Sequence, residues 1–151
     1  MNHTIAESKE FCSHSADMIK LAAEKGIDIG VAPSYLSLQT VKENAGNMIV
    51  AAQDCHFADH GAYTGFVSIP MIKELGIDWC LVGHSERRLY AAETSLTCNR
   101  KIKALIENKM IVVYCVGESL ADFESGRTKS IVKEQLLIGL MDIAKEDTDK
   151  I

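Results

Sequence analysis

Apolar residues recur on a period of about 3.6 from residue 5 to about residue 24, at Ile5, Phe11, Cys12, Met18, Ile19 and Leu21 to Ala23. That spacing predicts an amphipathic helix, and Gly26 is a suitable stop. Four short runs break the helical period: residues 27–32, 48–52, 79–82 and 110–116. They are β-branched and apolar on both sides of any pleat, which predicts strands buried on both faces in a parallel sheet. Helical spacing returns between them. It predicts helices over 35–44 (Leu36, Leu38, Val41), over 69–75 between Ser68 and Gly76, and over 93–108 with Thr94 or Ser95 as cap. A last helix is expected over 128 to about 145, with Ile131, Val132, Leu136, Leu137 and Leu140 as its stripe. Strands alternating with helices are the βαβ pattern. Two irregularities stand out. Helices outnumber strands, and the polar stretch 145–150 lies where the next strand of such a repeat is due.

Composition adds bounds. At 151 residues, 47% hydrophobic and 25% charged, the chain is expected to be a single domain of ordinary globular make-up. No apolar run approaches the ~18 residues of a membrane span, and no signal peptide is visible. A net charge of −5 argues against a nucleic-acid or anionic-membrane partner. Five cysteines, an odd number with no C-x-x-C pair, suggest buried thiols in a reducing compartment rather than a disulfide framework.

Polar residues cluster where the predicted strands end, which is where parallel α/β proteins place their sites. The densest cluster is Gly83-His-Ser-Glu-Arg-Arg88. Ser85 and Glu86 are placed to open a helical turn, whose N-terminal N–H groups would keep His84 neutral and suited to hydrogen bonding or acid–base work. The competing reading is a surface loop whose charges only pair with one another. Cys55, His56, Asp59 and His60 resemble a metal cluster, but Gly61 and polar flanks suggest a loop, without the helical face that an i, i+4 histidine pair needs. Gly61-Ala-Tyr-Thr-Gly65 reads as an exposed turn with an aromatic tip, an ordinary turn or a partner contact. No dinucleotide-binding glycine pattern is present, and Glu118 reads as a structural or supporting carboxylate at a strand end.

The string Gly83-His-Ser-Glu-Arg-Arg88 closely resembles the most characteristic motif of the triosephosphate isomerase family. Val31-Ala-Pro33, Ala52-Gln-Asp-Cys-His56, Gly61-Ala-Tyr-Thr-Gly65, Cys115-Val-Gly-Glu118 and Glu124-Ser-Gly-Arg-Thr128 resemble further family strings, in order and at the right spacing. The resemblance implies a partial TIM (β/α)8 barrel: parallel strands two to five with helices one to five, one incomplete domain over residues 1–151. It implies interconversion of glyceraldehyde 3-phosphate and dihydroxyacetone phosphate, in glycolysis and gluconeogenesis, by proton transfer through an enediol. Under it His84 is the electrophile, Glu86 a carboxylate beside it, and Cys115 a neighbour of the base. Tyr63, Thr64 and Arg87 contact the second subunit of a homodimer. No metal or organic cofactor is implied, and the expected location is the cytoplasm. The family's asparagine and lysine from strand one and its base glutamate after strand six have no counterpart here. The chain therefore reads as a central fragment, inactive by itself. The alternative is a stand-alone, non-catalytic α/β binding domain built from the same parts.

The chain also departs from the family. Phe66 stands where the family has a glutamate that pairs across the dimer with the arginine matching Arg87, so restoring glutamate at 66 is expected to strengthen dimerisation. Ala91-Ala-Glu93 replaces Phe-Gly-Glu, and Phe123 replaces an arginine.

Overall fold

The computed structural model describes residues 2–151. Four strands form one sheet in the order β1 (Gly30–Val31), β2 (Ile49–Ala52), β3 (Trp79–Val82) and β4 (Ile111–Tyr114). All neighbours are parallel, with Val31 opposite Val50, Ala52 opposite Cys80, and Val82 opposite Tyr114. Helices fill every crossover: α3 (Tyr35–Asn44), α4 (Ile69–Glu74), then α5 (Ser85–Tyr90) with α6 (Ser95–Glu107). Before the sheet lie α1 (Ile5–His14) and α2 (Ala16–Glu24). After it come α7 (Leu120–Glu124), α8 (Thr128–Gly139) and a 3-10 turn over Lys145–Lys150.

One face of the sheet packs on the helices. Val50, Ala52, Cys80, Val82 and Val112 meet Leu38, Val41, Ile69, Ile72, Ile102 and Leu105, all buried. The other face does not match the expectation of strands buried on both sides. Ile49, Ala51, Trp79, Leu81 and Val113 line an open groove of about 350 Å3, and Val113 is 40% exposed. The four strands form an open sheet, and among the described residues this face has no opposite wall. The sheet's outer strands, β1 and β4, each have one neighbour.

Several predicted bounds shift for local reasons. The first helix is two helices because the Ser15 hydroxyl donates to the Phe11 carbonyl at 2.7 Å, a back-bond that bends helices. The last helix stops at Gly139, short of 145, and Asp142 turns the chain at φ +58°. β1 holds two residues, fewer than the apolar run around it. Helix α7 has no signature in the hydrophobic pattern. A capping box creates it: the Ser119 hydroxyl accepts the Asp122 N–H at 3.2 Å and donates to the Asp122 carboxylate at 2.6 Å.

Candidate active site

The loops at the carboxyl ends of the strands gather the polar residues. Gly83 turns the chain out of β3 at φ +78°, a left-handed conformation that favours glycine. A Cβ there would lie 2.8 Å from an Arg88 nitrogen, 2.9 Å from the Cys98 sulfur and 3.1 Å from the Cys115 carbonyl oxygen. His84 follows as the N-cap of α5, as the sequence predicts for the turn begun by Ser85 and Glu86. Its Nδ1 accepts the Glu86 N–H at 3.3 Å, which puts the ring's proton on Nε2. The Glu86 carboxylate lies 3.7 Å from the same nitrogen and is largely exposed.

His84 lines a cavity of about 730 Å3 between the β3 and β4 loops, together with Cys115, Gly117, Glu118, Arg88 and Gln135. Burial raises the Cys115 thiol above its ordinary value. Burial likewise pushes the Cys98 thiol, behind Gly83, up to about 11. The Glu118 carboxylate accepts the Thr128 hydroxyl at 2.8 Å, a structural engagement. The structure thus brings His84 and Cys115 to one cavity, while Glu86 lies beside the imidazole and does not line it.

Tyr63, Thr64 and Arg87 lie around a second cavity, of about 360 Å3, which Thr64, Phe66 and Arg87 line. Tyr63 lies against the buried His56 ring in a tilted contact with centroids 4.0 Å apart, and Phe66 meets the same ring edge-on at 4.9 Å. His56 is therefore part of the loop's own packing, and its Nδ1 accepts the Ala58 N–H at 3.0 Å. Asp59 and His60 point to solvent while Cys55 is buried. Among the described residues no cluster of histidine, cysteine and carboxylate is arranged to hold a metal.

A charge network with little local signature in the sequence lines this second cavity. Lys101 bonds to Asp54 at 2.6 Å and also to Glu93, and all three side chains are buried. Arg87 pairs with the other Asp54 oxygen at 2.6 Å. Burial pushes the Asp54 carboxyl up despite these cations. Burial also lowers Lys101, but the hydrogen bonds with Asp54 and Glu93 outweigh it and leave Lys101 above its ordinary value. Arg87, expected at a subunit contact, is thus neutralised within the chain. The one available signal was a lysine on the apolar face of the helix that became α6.

A parallel, helix-backed sheet in sequential strand order, with its polar residues at the carboxyl ends of the strands, defines a portion of a (βα) barrel enzyme scaffold. The family model described as triosephosphate isomerase matches residues 1–151. The triosephosphate isomerase of Clostridium botulinum (strain ATCC 19397 / Type A) is 37% identical over 153 residues, covering 100% of this chain and 60% of that protein. That of Chlorobium chlorochromatii is 41% identical over 151 residues, covering 95% of this chain and 59% of the relative. That of Mycoplasma capricolum is 44% identical over 124 residues, covering 82% and 50%. The chain belongs to the triosephosphate isomerase family, and it spans about 60% of the length of the curated relatives it matches.

Proposed function

We propose that these residues form the central part of an isomerase that interconverts glyceraldehyde 3-phosphate and dihydroxyacetone phosphate in the cytoplasm. The placement of His84 carries the reading. It caps a helix at a strand's carboxyl end, and Nδ1 is occupied by a backbone N–H. Nε2–H is then the group free to donate to a substrate carbonyl and to stabilise charge that develops on its oxygen. Glu86 borders the imidazole, and Cys115 supplies part of the cavity wall. Tyr63 and Thr64 would meet a second subunit, with Arg87 close by.

The 151 residues alone are expected not to turn over substrate. Abstracting a proton next to a carbonyl needs a base within hydrogen-bond reach of the carbon. Glu118, bound to Thr128, does not occupy the position of the family's base. A coupled assay with glyceraldehyde 3-phosphate tests both statements. It compares the chain itself with a chain extended at both ends by the corresponding segments of the Clostridium botulinum relative. The extended chain should isomerise, and His84→Gln in it should lower kcat more than it changes KM. A folded extended chain without activity overturns the functional reading. Turnover by the 151 residues, abolished by His84→Gln, overturns the inactivity.

A further inference from the structure

His84 is only as well placed as the peptide that precedes it. The Gly83–His84 peptide is planar, so fixing its carbonyl fixes the direction in which His84 leaves the backbone. One side chain holds that carbonyl: the Arg88 Nε–H donates to the Gly83 oxygen at 2.8 Å. The rest of the same guanidinium reaches outward. Nη1 donates to the Ser95 hydroxyl at 3.1 Å, and Nη2 donates to the Cys115 carbonyl at 3.3 Å and to the Tyr114 hydroxyl at 3.4 Å. A rigid planar group with five donors thus spans α5, the start of α6 and the end of β4.

The chain of bonds continues. The Tyr114 hydroxyl donates to the Gln135 carbonyl of α8 at 2.8 Å. The Gln135 side chain turns back and grips Gly117 twice, accepting its N–H at 2.9 Å and donating to its carbonyl at 2.8 Å. Gly117 lies on the opposite wall of the cavity that His84 lines. Both walls therefore hang on one hydrogen-bonded path, Gly83–Arg88–Tyr114–Gln135–Gly117, supported by the Arg88 guanidinium lying 5.8 Å over the Tyr114 ring.

We propose that Arg88, Tyr114 and Gln135 are positioning residues that set the orientation of His84 and the spacing of its cavity. None of the three is asked to touch substrate. The inference rests on the reading of His84 as the reactive imidazole, but it is tested by ring geometry and so stands or falls apart from isomerase activity.

The test is 15N NMR of the end-extended chain with labelled histidine, His84 being assigned from its loss in His84→Gln. The unsubstituted chain should show His84 as a single neutral tautomer with its proton on Nε2. Arg88→Lys, which cannot span four acceptors, should shift the two ring nitrogens toward an averaged tautomer. Tyr114→Phe should move them the same way by less. His56, in the neighbouring loop, should keep its shifts and so report an intact fold. Gln135→Met should speed amide exchange at Gly117 by about fivefold, as loss of a typical hydrogen bond implies, and should also move His84. A purely structural role would lower stability while leaving the His84 tautomer alone. If Arg88→Lys perturbs His56 as well, Tyr114→Phe decides. An unchanged His84 in Tyr114→Phe and Gln135→Met, with His56 intact, overturns the proposal.

Discussion

Arg87 shows how a single neighbour redirects a residue's role. By resemblance alone, glutamate at position 66 should recruit this guanidinium and tighten a dimer. The structure gives it to Asp54, 2.6 Å away within the chain, and Asp54 is itself bound to the buried Lys101. The exposed Phe66 then presents apolar surface beside a cation already neutralised. Phe66→Glu in the end-extended chain is therefore expected to leave dimerisation no tighter. In an Asp54→Asn background, where Arg87 loses its carboxylate, the same substitution should tighten it by up to ~1 kcal/mol, the range of exposed ion pairs. Sedimentation equilibrium on the four proteins checks this. Equal gains from Phe66→Glu in both backgrounds would show that Asp54 does not hold Arg87. None of this was legible in the sequence. Asp54 and Lys101 stand 47 positions apart, and isolated charges read as solvated until the fold brings them together.

At the scale of elements, legibility followed the strength of the local signal. Parallel strands declared themselves as apolar runs because one face is packed on helices. The start of α5 was readable from Ser85 and Glu86 behind a glycine. Helix ends set by single hydrogen bonds were not readable: Ser15 bending back on Phe11 leaves the hydrophobic period intact, and α7 has five residues and no buried stripe. Its cap, like that of α1, also makes these ends pH-sensitive. The Thr4 N–H and hydroxyl hold the Glu7 carboxyl below its ordinary value. The Ser119 hydroxyl and N–H do the same for Asp122. A carboxyl lowered in the folded state stabilises above its unfolded pKa and loses that effect as pH falls through the folded value. Amide protection factors, taken relative to the intrinsic exchange rate at each pH, should therefore fall at the first turns of α1 and α7 on acidification below pH ~4, before the centre of α6 responds. Simultaneous loss of protection in all three helices would contradict local capping.

For the whole molecule, the decisive features are the two outer strands and the open inner face. Among the described residues β1 and β4 each pair with a strand on one side only, and such an edge is a template for pairing with another chain. The groove beside them is lined by Ile49, Ala51, Trp79, Leu81 and Val113. The 151 residues by themselves are expected to self-associate or to melt without cooperativity. Light scattering across a concentration series, with thermal unfolding followed by circular dichroism, measures both. A monomer at high concentration with a sharp transition would count against this view. That the sheet is part of a barrel was legible from motif order. That its inner face lacks an opposite wall follows from a barrel resemblance that covers only strands two to five, although the apolar runs by themselves look the same with or without such a wall.

The contact between Tyr114 and α8 also bears on how such a sequence can change over generations. The tyrosine hydroxyl lies 2.1 Å from where a Cβ at Gly139 would sit. Even alanine at 139 collides with a ring held by bonds to both neighbours. A lineage carrying this pair can gain a side chain at 139 only after position 114 has shrunk. The reverse order passes through an intermediate in which α8 is pushed off β4. The two positions are therefore bound to a one-way order of substitution, and relatives with a side chain at 139 should carry a smaller residue at 114.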